Sequence, residues 1–173
     1  TVLNEQGREV SDTISARELS GYVYADPYLA LKLLRRAEGR RSQRLGQETT
    51  TALGAVLQTG FDDLVQVVIK SSLSDDSLPG CNNCEFLAVL ASSIGRAWAM
   101  QRTDVSPDEV ALAALLSESG ELLLWHFAPE LPLKVEAELA SGRAFRPLAA
   151  QQQAIGFSFK QLTLALVQAW QLP

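Results

Sequence analysis

From Ser106 to Glu130 the chain reads SPDEVALAALLSESGELLLWHFAPE, and no other stretch constrains the fold as tightly. Ser106 is a good N-cap, Pro107 fits the first helical position, and Glu109 completes a capping box. Val110, Leu112, Ala113, Ala114, Leu115 and Leu116 then spread apolar surface too widely for a helix exposed on one side. The pattern predicts a central, mostly buried helix. Ser117-Glu118-Ser119-Gly120-Glu121 interrupts it with polar residues. A buried carboxylate is costly unless paired, so this patch marks either a site or a place where the helix edge meets water.

The rest of the chain is punctuated in the same way. Ser15 with Glu18 and Ser158 with Gln161 form further capping boxes, and Asp26-Pro27 restarts a helix with a cap and a fixed first φ. Residues 1–14 lack periodicity and read as an arm or linker. Leu29, Leu33, Leu34 and Ala37 give a stripe that Gly39 is expected to stop. Ala52, Leu53, Val56 and Leu57 give another, ended by Gly60. Asp62 is expected to cap a helix over 64–70, where the β-branched VQVVI finds no partner strand. SSLSDDSLPGCNN, residues 71–83, is the longest polar, turn-rich segment and predicts the break between two lobes. Asn82 with Glu85 is expected to cap a helix reaching about Gln101, with Leu87, Leu90, Ala91, Ile94 and Trp98 on its inward face. Helices over 132–139, from Pro147 to near Gly156, and through Leu162, Leu166 and Trp170 complete an all-α bundle in two unequal lobes.

Four segments resemble a known family, in order. ALAALLSESGELLLWHFAPE is similar to the HD-superfamily segment that reads LLHDIG before an apolar run, with Ser117-Glu118 where that motif has His-Asp. DPYLALKLLRRAEG (26–39), TTALGAVLQTGFDDLVQVV (50–68) and IGFSFKQLTLALVQAWQLP (155–173) resemble segments of the HDOD domain, the HD-related output domain of bacterial signalling proteins. The resemblance covers residues 15–173 and implies an HDOD-like domain. It ends where the family pattern usually goes on, so an excised domain or a shortened relative is expected.

Composition bounds the function. At 173 residues, 47% hydrophobic and 20% charged, the chain is one domain able to bury a core. No apolar run approaches 18 residues and no basic-then-apolar leader opens it, so no membrane association is expected. A net charge of −5 argues against general nucleic-acid binding, which depends on neutralising phosphates. Two cysteines make no disulfide framework, and a cytoplasmic location is expected.

The HD superfamily holds metal through an early His, the His-Asp pair and a later Asp. By the resemblance, the early position falls on or beside Glu85, the pair is Ser117-Glu118, and the later residues read Ser158-Phe159. The one histidine, His126, matches no ligand position and is expected to be packed. A non-catalytic module is therefore implied, with no metal and no cofactor, serving signal transduction through a protein partner or fused signalling domain. Glu85, Ser117 and Glu118 would be what remains of the old pocket. Glu118 then contacts a ligand or partner, or reaches solvent or pairs with an arginine such as Arg96. The alternatives are a small-molecule or nucleotide sensor, and a degenerate metal phosphohydrolase. Cys81-x-x-Cys84 has the spacing of a redox pair or half a zinc site, and Cys84, at an expected helix start, would have a lowered pKa. Arg35, Arg36, Arg40, Arg41 and Arg44, with Lys32, form a basic cluster in an acidic chain. They either dock an anionic ligand or partner, or simply solvate a helix end.

Overall fold

The computed structural model describes residues 15–41, 49–69 and 79–172, without the side chains of Arg40, Arg41 and Pro79. The arm expected at 1–14 and most of the polar break lie outside the described residues. Within them the chain forms ten helices and no strand. The first five are α1 (Ala16–Val23), α2 (Pro27–Arg41), α3 (Ala52–Thr59), α4 (Phe61–Ile69) and α5 (Pro79–Ala99). The others are α6 (Pro107–Leu115), α7 (Ser119–Phe127), α8 (Glu130–Ala140), α9 (Pro147–Ile155) and α10 (Phe159–Trp170).

Local chemistry sets most of the boundaries. Complete capping boxes open α1 at Ser15/Glu18 and α10 at Ser158/Gln161. The Leu29 amide donates to Asp26 Oδ1 at 2.9 Å to start α2. Gly60, at φ 78°, lets α3 turn into α4 at an angle of 103°. Several boundaries differ from expectation. α2 continues through Gly39 to Arg41, and α4 begins at Phe61 with Asp62 inside its first turn. α5 begins at Pro79, so Asn82 is helical rather than a cap. Ser106 caps α6, but Glu109 does not close a box: its carboxylate accepts from the Thr50 hydroxyl at 2.7 Å and ties α6 to the start of α3.

The central segment is two helices. α6 ends at Leu115, a turn spans residues 116–118, and α7 starts anew. By length and composition alone Pro107–Phe127 could cross a membrane, but its residues feed three apolar clusters. The first joins α1 to α6 around Leu33, Leu34, Leu64 and Leu115. The third joins α7 to α10 around Leu124, Val135 and Phe159. Tyr28, Leu31, Cys81, Leu122 and Trp125 form the cluster between them. α5 packs on α6 and then on α7, and it also enters the N-terminal cluster, so helices on both sides of the polar segment 71–83 share apolar clusters.

α5 turns the opposite way from expectation. Leu87, Leu90, Ile94 and Trp98 are 58%, 41%, 61% and 54% exposed. Cys81, Cys84, Ala88, Ser92 and Ala99 are buried instead. α5 and α6 form the most extensive helix pairing in the fold, and a Cβ on Gly95 would stand 3.4 Å from Ala114 Cβ and Val110 Cγ1. Small side chains let the two backbones approach closely, so the small face of α5 goes inward and the large one outward. Leu115→Ala should then cost about 2–5 kcal/mol, as large-to-small core changes do. Leu87→Ala should stay within about 1 kcal/mol of the parent, as exposed changes usually do. Urea unfolding of both variants checks the assignment; equal losses would put Leu87 back in the core.

Candidate functional site

The three residues at the HD positions face different surroundings. Ser117 lines a cavity of about 320 Å³ between α2, α6 and α10, with Leu34, Leu112 and Thr163 on its walls. Glu118, exposed at the N-terminus of α7 without a side-chain cap bond, lines a smaller one of about 120 Å³. Glu85 lines neither of these two cavities. It sits half-buried one turn after Cys81, whose Sγ lies 3.6 Å from Glu85 Oε1 and 3.3 Å from the Tyr28 hydroxyl. The Tyr28 hydroxyl donates to the Leu122 carbonyl at 2.9 Å. Glu85 thus belongs to a polar chain that ties α5 to α2 and α7. Burial, then the sulfur beside it, pushes the Tyr28 pKa well above the usual phenol range. Among the described residues no group of three or more His, Cys, Asp or Glu side chains could hold a metal ion.

The smaller cavity gathers Glu118, Glu121 and Glu136 around Cys84 and Trp125. Burial, followed by the charges of Glu121 and Glu118, pushes the Cys84 thiol up to about 12. This reverses the expected lowering, because Cys84 stands inside α5 rather than at its start. Cys81 and Cys84 are both buried free thiols. Arg96 does not reach Glu118; it bonds to Asp108 and lies 5.2 Å from the Tyr24 ring centroid.

Burial also raises the Glu121 pKa, with Glu118 and Glu136 adding to the rise against the Trp125 Nε1–H donor. A carboxyl whose folded pKa lies above its unfolded one binds its proton more readily in the native state, so stability falls as pH rises between the two values. Glu121→Gln keeps an acceptor for Trp125 and removes the charge. It should raise Tm at about pH 7.5 and lose that gain below about pH 4, where the parent is protonated as well. Thermal melts across this range check it, and a gain that persists at the acid end would contradict it.

The basic cluster is divided. Arg36 bonds to Asp63 at 3.1 Å across α2 and α4. Arg35 turns the other way, its guanidinium carbon 4.9 Å from the Trp170 ring centroid. Arg40 and Arg41 close α2, their side chains outside the described residues, as is Arg44 altogether. With Lys32, Arg35 borders a third cavity, of about 360 Å³, between α2, α7 and α10. His126 also lines it, 5.1 Å from Tyr28 and edge-on to Phe127 at 4.6 Å. The sequence reading missed this cavity, although Tyr28, Lys32 and Arg35 carried a signal: their spacing places them on one face of α2.

An all-α bundle whose central segment reads LLSESG where it resembles the LLHDIG motif points to a class, the HD-related helical domains without the His-Asp pair. The chain belongs to the HDOD domain family, whose sequence model matches residues 8–173. Its fold is shared by the crystal structure of the MmoQ response regulator from Methylococcus capsulatus str. Bath, with a TM-score of 0.75 and 22% identity. That match covers 94% of this chain and 65% of that one, so the chain spans about two thirds of its structural relative. No curated protein gives a significant sequence match.

Proposed function

We propose that the chain is a non-catalytic module of a signalling protein that acts by binding another polypeptide through α5. The outward row Leu87, Leu90, Ile94 and Trp98 carries the reading. Apolar side chains at this spacing along one helix face form a contiguous patch, and contiguous patches on soluble proteins mark interaction sites. The partner chemistry that fits is an amphipathic helix laying its own apolar face along this row. Membership of the HDOD family and a structural relative described as a response regulator support the signalling context. The two free thiols agree with a reducing, cytoplasmic setting. Ser117 and Glu118 line different cavities, and neither they nor Glu85 supply an imidazole, which supports a role without metal hydrolysis.

A photo-crosslinking amino acid in place of Ile94, in the full-length protein in its own cells, tests the reading. It should capture one discrete partner protein, and Leu90→Asp should remove that product while leaving Tm within about 2 °C. Equal capture from a probe at exposed Lys160 would overturn the α5 surface. About one metal ion per purified chain, lost with Glu118→Ala, would overturn the non-catalytic part.

A further inference from the structure

The geometry points to a ligand site that the HD positions do not include: the cavity between α2, α7 and α10 binds a small aromatic carboxylate. Its volume, about 360 Å³, falls within the range of small-molecule pockets. The walls are apolar and partly aromatic, with Tyr28, Leu31, Phe127, Leu166 and Trp170 among them. Such a surface takes a planar apolar body, stacked or edge-on.

The charged side chains at this cavity, Lys32 and Arg35, share one sign. Lys32 and Arg35 stand one turn apart on α2, both exposed, with the His126 imidazole as a third nitrogen group. No carboxylate lines the cavity, and among the described residues neither Lys32 nor Arg35 is in an ion pair. Asp63, across α2, bonds to Arg36 instead. Stacking on Trp170 holds the Arg35 guanidinium at the rim, and that planar fork can meet a carboxylate with two parallel N–H donors. Two cations without anions, over an aromatic pocket in a chain of net charge −5, select an anionic ligand against a neutral one of the same shape. This site is separate from the outward row of α5, since no residue of α5 lines it.

The test titrates the intact protein with 2-naphthoate, neutral 2-naphthamide and decanoate by calorimetry. Naphthoate should bind one to one, about tenfold or more tighter than naphthamide, because hydrogen bonds to a charged group are worth more than neutral ones. It should also raise Tm in a concentration-dependent way. Lys32→Gln with Arg35→Gln should weaken naphthoate about tenfold and leave naphthamide unchanged, which separates lost charge from a collapsed cavity. The Trp170 indole N–H resonance, assigned through Trp170→Phe, should shift on binding. Equal affinity for acid and amide, or full naphthoate affinity in the double variant, overturns the anion assignment. Tighter decanoate overturns the aromatic body. No binding, or binding abolished by Leu90→Asp on α5, overturns the site.

Discussion

Two helix backbones touch at Gly120. A Cβ there would sit 2.5 Å from the Phe159 carbonyl oxygen and 2.8 Å from the Thr163 amide nitrogen, backbone atoms that cannot swing aside. With none present, the Gly120 amide donates to Thr163 Oγ1 at 2.9 Å, and that hydroxyl donates to the Phe159 carbonyl at 3.2 Å. This contact fixes α10 on α7. It thereby sets Trp170, at the far end of α10, beside Arg35 of α2, and closes the aromatic cavity. α7 in turn carries Leu122 and Trp125 into the middle cluster and Leu124 into the C-terminal one. The N-terminus of α5 depends on it too, since Gly80 lies so near Trp125 that a Cβ would stand 2.0 Å from the indole.

Gly120 closes LLSESG, the stretch that resembles the LLHDIG motif of the HD superfamily. The two parts of that motif answer to different physics. Metal binding needs particular donors, and Ser117 and Glu118 do not supply an imidazole. Close packing needs only a missing side chain, and Gly120 still provides it. Ser117 now serves the turn itself, its hydroxyl donating to the Ala114 carbonyl at 2.9 Å as α6 ends.

What the sequence disclosed follows from the range of the interaction involved. The Ser15/Glu18 and Ser158/Gln161 boxes and the Gly60 stop were legible because a cap is decided within a few residues. The face of α5 was not. Its helix carries two apolar stripes, one of large side chains and one of Ala, Ser, Gly and Cys, and hydrophobic periodicity favours the larger. The choice belonged to α6, whose Ala114 and Val110 accept a close neighbour, and that is a long-range fact. Glu109 was misread for the same reason, because Thr50 lies 59 positions away in the chain. The candidate site was legible as residue types, the cations of α2 and the lone histidine. The cavity that joins them required α7 and α10 to be in place.

The cavity and the outward row of α5 lie on different elements but share a neighbour. Tyr28 lines the cavity with its ring and meets Cys81 of α5 with its hydroxyl. Cys81 is on the same helix as Leu87 and Leu90, and its sulfur also faces Glu85. Tyr28 therefore joins the cavity wall to a buried polar chain, in which its own hydroxyl, the Cys81 thiol and the Leu122 carbonyl lose a contact if the ring shifts. Leaving a buried polar group unpartnered is costly, so that chain resists gradual displacement and favours discrete arrangements. The middle cluster is thus the physical element that joins the cavity wall to α5. Its smallest unit is one tyrosine hydroxyl between a carbonyl of α7 and a thiol of α5.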